Sequence, residues 1–554
     1  MAAAADGPPR RDGATTTDFD VVVVGAGFAG MYTIHRLRQM GLSVQCFEAG
    51  GDVGGTWYWN VYPGCRVDIE SFEYSYSFSD ELQQEWKWSE RYASQPELLR
   101  YCRHVAERFD LRRSIRFDTR ITQAHFDEAS GHWRVATQHG DTVTAQFCIF
   151  ATGLISEPHM PHFDGLEDFR GDKYLSSRWP REPVDFSGKR VGIIGTGASG
   201  VQMIPIVARQ AQHLSVFQRT PTFTVPLQNK PMDPDLEREM KARYRKLREM
   251  QFDSMAGFTL VHSQPLPPPT RSALELDDEA RLREYENRWA SGGLCFYYTF
   301  TDVLVDQAAN DTLSEFFRHK IRARVRNPEV AEKLVPEHPA LTRRLAADTG
   351  YQETYDRDNV SLIDLRVEPI DRFTAEGLRV AQRVVELDAI VFATGFDIQT
   401  GAMDKIDIRG CNGRTLKQHW GDGLRSYLGM TGAGFPNLFW LNGPGSPFFN
   451  PILLAEYQVD WIARLLEDMR TRGRQVLEAS SEAETDWVNL TNQIGDMTLF
   501  SKTKNYYMGD NIPGKPRSVL FWLGGFPAYR EQCEAAAQST DTRFHFDPSM
   551  GVSG

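Results

Sequence analysis

Two glycine clusters carry recognisable chemistry by type and spacing: Gly25-Ala-Gly27-Phe-Ala-Gly30 and Gly195-Thr-Gly197-Ala-Ser-Gly200. In such a turn the first glycine permits a tight bend, the second lets a pyrophosphate reach the backbone, and the third lets a helix pack against a sheet. The N-terminus of the following helix attracts the anion. Glu48 follows at roughly 20 residues, the spacing at which a carboxylate accepts the ribose hydroxyls of a dinucleotide. In the second cluster the matching position is Gln218, followed by Arg219 and Thr220. Losing the acid removes repulsion for a 2'-phosphate, and Arg219 supplies a planar cation for it. The second site is therefore predicted to take NADPH in preference to NADH.

These glycines have that meaning only between a strand and a helix. The β-branched run Asp20 to Val24 predicts the strand, the apolar spacing of Phe28 to Met40 predicts the helix, and Ser43 to Phe47 predicts the returning strand. The pattern recurs as a strand over Lys189 to Ile194, a helix to about Arg209 and a strand over Leu214 to Gln218. From about Thr224 to Pro336 the chain becomes charged and aromatic with helical spacing, as in Asp235 to Met250 and Glu279 to Trp289. Within it, Pro265 to Pro269 reads as an extended linker. The apolar runs Phe147 to Phe150 and Ala389 to Phe392 each end in Ala-Thr-Gly, a buried strand stopping at a tight turn. The expected class is α/β, with two Rossmann-like dinucleotide-binding domains and a helical insertion. The expected divisions are a disordered leader at 1–17, a discontinuous first domain at 18–155 and 386–554, a second at 156–223 and 337–385, and the insertion at 224–336.

A chain of 554 residues is long enough for several cores, and 41% hydrophobic with 25% charged residues is the balance of a globular protein. A net charge of -12 argues against nucleic acid or anionic lipid as a partner. The seven cysteines are scattered without a Cys-x-x-Cys pair or metal-ligand spacing, so no metal is expected and a reducing cytoplasm fits. No apolar run approaches the roughly 20 residues of a membrane span. A soluble monomer is expected.

Two dinucleotide units separated in this way resemble the flavin monooxygenases and the disulfide reductases. The reductases need a redox Cys-x-x-Cys beside the flavin, which is missing here. The run from Gly54 through Gly55-Thr56-Trp57 to Tyr62-Pro63-Gly64 and Asp68 matches the Baeyer-Villiger motif (A/G)GxWxxxx(F/Y)PGxxxD at every specified place. A second family fingerprint, FxGxxxHxxxW(P/D), reads Phe169 to Pro180 here, with Leu175 in place of its histidine. Asn511 to Lys515 and Leu523 to Gly525 also resemble the family, so the resemblance covers the chain from about Phe19 onward.

The resemblance implies FAD in the first unit and NADPH in the second. Beside the glycines and Glu48 it places Phe28, Gly55, Thr56, Trp57, Asp68 and Tyr74 against the cofactors. It places Thr196, Ser199, Arg219, Thr220 and Arg343 there too, with Ala393, Thr394 and Gly395. The family's essential arginine falls at Arg344, which Asp68 would orient, and its mobile loop carries a tryptophan where this chain has Tyr506. The segment Gly443 to Asn450 resembles the short active-site loop of the cyclohexanone-type enzymes. Pro447, Phe448 and Phe449, with Leu154, would then wall an apolar pocket suited to cyclic or bulky ketones. By resemblance, NADPH reduces FAD, O2 adds to the flavin, and the resulting peroxide attacks the ketone to give an ester or lactone. A guanidinium, charged at any working pH, would stabilise the anions formed, and retained NADP+ would complete the pocket.

Taken without the family, an arginine beside another arginine reads as a solvated or phosphate-binding pair, Trp57 and Trp59 as core aromatics, and Asp68 as a helix cap. Two other functions remain open at this point. One is an N- or S-oxygenating flavin monooxygenase that has no need of Arg344. The other is a degenerate nucleotide-binding redox sensor marked by Leu175 and Tyr506.

Overall fold

The computed structural model describes residues 17–259 and 269–547. The leader up to residue 16 and the greater part of the Pro265 to Pro269 linker lie outside the described residues.

The first unit begins with β1 (Phe19–Val24), passes through the glycine turn into α1 (Phe28–Gln39) and returns in β2 (Val44–Phe47). Val21, Val22 and Val23 are fully buried, the environment of a parallel strand covered on both faces. β1 lies parallel to β2 on one side and to Thr142–Phe150 on the other. An antiparallel meander through His132–Thr137 and Ile121–Asp127 widens this sheet, Ile115–Arg116 and Asp407–Arg409 form its two edges, and Leu438–Trp440 joins it from the C-terminal third, making eight strands.

The second unit repeats the design with β3 (Arg190–Ile194), α2 (Ala198–Gln210) and β4 (His213–Gln218). Its sheet has five strands, ordered Val360–Asp364, β4, β3, Ala389–Phe392 and Asp172–Leu175, all parallel. The expected break at 386 would put Ala389–Phe392 in the first domain, but this strand pairs residue for residue with β3, Ala389 opposite Val191 and Phe392 opposite Ile194. The physical reason lies at its end: a Cβ on Gly195 would lie only 2.3 Å from Ala393 O. Ala151 O stands in the same relation to Gly25, at 2.6 Å. Each Ala-Thr-Gly strand end therefore presses on the glycine turn of its own unit, and the chain leaves the second sheet after Phe392. Leu175, in place of the family histidine, ends the edge strand opposite Phe392 and packs into the apolar cluster around it.

The insertion is helical, with a short strand on either side, Thr224–Pro226 paired to Ala346–Asp348. Asp233, Asp277, Asp306 and Asn327 each cap a helix by accepting backbone N–H groups of its first turn. The stretch with helical spacing over Asp235 to Met250 forms two helices, Pro234–Ala242 and Tyr244–Asp253. The break at Arg243 turns Tyr244, Leu247 and Arg248 into the core, where Arg248 donates to Gln83 Oε1, Ser75 Oγ and the Tyr76 carbonyl. Among the described residues, no helix is long and apolar enough to cross a membrane, all seven cysteines are unpaired, and no His, Cys, Asp and Glu cluster could hold a metal.

Candidate active site

The two glycine turns open onto one cavity of about 840 Å³ between the sheets. Apart from Gly30 and Gly200, every residue expected to touch the cofactors, the ketone or the reacting atoms lines it. Those two stand behind their turns: a Cβ on Gly30 would lie 1.8 Å from Gly25 O, and one on Gly200 2.3 Å from Gly195 O. They set how closely each helix approaches its turn. Gly27 and Gly55 face each other across the first turn, where a Cβ on Gly55 would lie 2.9 Å from Gly27 Cα. The wall there is bare backbone, as a pyrophosphate requires.

The side chains fit a flavin dinucleotide in the first unit. Glu48 is buried at the end of β2, its two oxygens accepting from Ala26 N and Gly50 N, each at 2.7 Å. Burial pushes its pKa up, and those two N–H groups hold it back down. Each carboxylate oxygen keeps a lone pair for a ribose hydroxyl. Trp57 Nε1 donates to Tyr74 Oη at 3.2 Å, and Phe28 meets Tyr74 edge-on at 5.7 Å, so three aromatic rings form one face of the cavity.

In the second unit Arg219 is exposed at the rim and Thr196 Oγ1 donates to the Thr220 carbonyl. Arg343 comes to the same region from the far side of the insertion. Its Nη2 donates to Lys504 O at 2.8 Å, while its buried Nε has no partner among the described residues. Burial and the neighbouring Arg219 both press its pKa down, so a phosphate placed between the two cations would relieve both strains. Arg219→Ala is expected to raise the KM for NADPH by about 10- to 100-fold with little change for NADH, as steady-state titration of both coenzymes would show.

Arg344 points the other way from Arg343. It grips Asp68 in a two-pronged ion pair, Nε to Oδ2 at 2.7 Å and Nη2 to Oδ1 at 2.5 Å. Its side chain is 29% exposed, and both partners line the cavity. Burial disfavours the charge, but the Asp68 carboxylate more than offsets this, so the pKa stands well above the ordinary guanidinium value. Asp68 thus caps no helix. Its guanidinium partner lies 5.9 Å from the Phe448 ring. Phe449 stacks on Phe526 at 4.2 Å, and Pro447 and Leu154 complete this apolar part of the wall. Tyr506 Oη accepts from Arg344 N at 3.1 Å.

Sequence reasoning passed over Tyr507 and Gln202, and it met Tyr62 only as a motif position. Tyr62 Oη donates to Gln202 Oε1 at 2.8 Å and Gln202 Nε2 donates to Arg66 O, so the motif loop of the first unit is fastened to α2 of the second. A Cβ on Gly64 would lie 2.7 Å from Gln202 O, which accounts for the glycine of the Pro63-Gly64 pair.

Two dinucleotide seats sharing one cavity, with a fixed guanidinium in its wall, define a flavin-dependent oxidoreductase that uses a nicotinamide coenzyme. The model of the flavin-binding monooxygenase-like family matches residues 19–234. A Baeyer-Villiger monooxygenase from Pseudooceanicola batsensis is 43% identical over 94% of this chain and 95% of its own length. A cyclohexanone 1,2-monooxygenase from an Acinetobacter species is 39% identical over 93% and 94%. The solved structure of an oxidised steroid monooxygenase bound to NADP superimposes with a TM-score of 0.90 at 48% identity, over 95% of this chain and 99% of that one. The chain belongs to the Baeyer-Villiger branch of the flavin-binding monooxygenases, NADPH-dependent enzymes that hold FAD and insert one atom of O2 beside a ketone carbonyl.

Proposed function

We propose that this monooxygenase acts on cyclic or bulky ketones, with Arg344 and Asp68 as its working pair, as a monomer in the cytoplasm. The observation that carries the reading is the Arg344–Asp68 fork set beside Phe448 in the cavity wall. When bound, FAD supplies oxygen activation and NADPH the reducing hydride. Arg344 holds a permanent positive charge in the cavity wall, and once ligands fill the cavity and displace its water it binds an anion or a developing oxyanion more strongly than it would in solution. Asp68 fixes the guanidinium plane by two hydrogen bonds and leaves its remaining N–H donors for the ligand. Pro447, Phe448, Phe449 and Leu154 exclude water around the ketone's hydrocarbon part. Phe28, Thr56, Trp57 and Tyr74 would hold the flavin ring. Thr196, Ser199, Arg219, Thr220 and Arg343, with Thr394 and Gly395, would hold the coenzyme.

The division that goes with this reading is 18–155 with the chain beyond Phe392 around FAD, 156–223 with 337–392 around NADPH, and 224–336 bridging them, the limit at 392 following the pairing of Ala389–Phe392 with β3. Product analysis by mass spectrometry over cyclic, aryl and steroidal ketones tests the proposal. Cyclic ketones should gain one oxygen atom each, and ketones left unchanged alongside oxidised amines would overturn the reading.

A further inference from the structure

Tyr506 and Tyr507 begin a single turn, Tyr506–Met508, that the surrounding chain holds in place. Leu520 N donates to the Tyr507 carbonyl at 3.1 Å, Asn505 Nδ2 donates to Phe500 O and Thr503 O, and Lys515 Nζ bonds Asp397 Oδ1 at 2.6 Å. The two rings lie 4.4 Å apart, and both side chains line the cavity.

Their hydroxyl protons do not balance. Tyr506 Oη accepts the Arg344 N–H at 3.1 Å and donates its own proton to Tyr507 Oη at 3.1 Å. A phenol carries one donor and two acceptor positions. Two phenols bring two protons, the bond between them uses one, and no acceptor for the other is found among the described residues. With Tyr506 engaged on both sides, the spare proton belongs to Tyr507, which is 4% exposed. A buried donor without an acceptor is costly, so a polar ligand atom is the natural partner. Burial raises the pKa of both phenols, and they stay protonated across the working range.

The position of Tyr507 says which ligand atom it meets. Its ring touches Phe448 edge-on at 5.4 Å, and the Arg344 guanidinium lies 5.9 Å from the same Phe448 ring. Both donors therefore flank one apolar wall of the cavity.

We propose that Tyr507 is a catalytic residue that donates a hydrogen bond to the ketone oxygen beside Arg344, the inference resting on the oxygenase reading above. As the carbonyl carbon is attacked, the C=O π electrons move onto oxygen, and two donors receive the growing charge. Tyr507 keeps its proton throughout. Tyr506 is a positioning residue that secures the Arg344 peptide and orients Tyr507.

The test compares one ketone and one sulfide, cyclohexanone and thioanisole, in Tyr507→Phe holoenzyme. A sulfide has no carbonyl to stabilise. The ratio of ketone to sulfide oxygenation should fall by roughly 100-fold, the cost of removing one oxyanion donor. An unchanged ratio overturns the proposal, as does a fall appearing in Tyr506→Phe and absent from Tyr507→Phe. Titrating NADP+ by fluorescence separates the coenzyme from the ketone as the bonded ligand: weakened NADP+ binding with an unchanged ratio also overturns it. Should Tyr507→Phe lose its flavin, the stretching band of a 13C=O ketone bound to Arg344→Ala holoenzyme decides. A band displaced to lower frequency from its position in hexane shows the second donor, and a hexane-like band removes it. If wild-type enzyme makes no lactone at all, the oxygenase reading has failed, which is a different result from any of these.

Discussion

Replacing Arg344 by alanine is expected to lower ketone oxygenation by about 1000-fold or more, because a single oxyanion donor is worth roughly 100- to 1000-fold and this residue adds a full charge. The loss should extend to sulfide oxygenation, since the guanidinium supports any anion formed in the cavity as well as the ketone oxygen. Arg344→Lys keeps the charge but gives up the planar fork on Asp68, where Nε and Nη2 each hold one carboxylate oxygen. Most of the loss is therefore expected in lysine too. Steady-state product formation, normalised to bound flavin, measures both. Ketone turnover within about 10-fold of wild type in Arg344→Ala would remove this residue from the chemistry.

The second large effect is expected at the two glycines behind the turns. Gly30→Ala puts a Cβ 1.8 Å from Gly25 O, and Gly200→Ala puts one 2.3 Å from Gly195 O. Both clashes are with backbone, so no side chain can swing clear and the helix must move off its turn. Displacements of this kind cost about 1–3 kcal/mol, or more where the backbone cannot relax, and that range is about 5- to 150-fold in binding. The consequences differ by unit. Gly30→Ala should yield protein largely free of flavin. Gly200→Ala should retain its yellow colour and its flavin content while NADPH reduces it only at much higher coenzyme concentration. Flavin absorbance after gel filtration and anaerobic reduction by NADPH distinguish the two, and equal flavin loss in both variants would contradict the assignment of one seat to each unit.

The sequence disclosed the two β-α-β units to within a residue or two at each end, because strand, glycine turn and helix are local signals. It could not say which sheet receives Ala389–Phe392. A run of four apolar residues fits either sheet equally well, and membership is decided by pairing with β3 almost 200 residues earlier in the chain. The break at Arg243 left no glycine or proline to mark it, since it answers to the burial of Tyr244, Leu247 and Arg248. Arg344 and Asp68 are 276 residues apart, and their meeting was legible only through the family motifs. Tyr507 was hidden for another reason. Beside Tyr506 it reads as one more core aromatic, and an unmatched hydroxyl proton becomes visible only when its neighbours are in place.

Arg343 and Arg344 are adjacent in the chain yet send their side chains opposite ways along the cavity. One lies beside Arg219, which we propose as the coenzyme-phosphate end, the other pairs with Asp68, and the peptide joining them is tethered by Tyr506. A protein engineer retuning coenzyme choice at Arg343 is therefore handling a rocker arm: whatever tilts its outer end also tilts the tool at the inner end. Selectivity for NADH is more safely sought at Arg219, on a separate strand end, where the lever has no second arm.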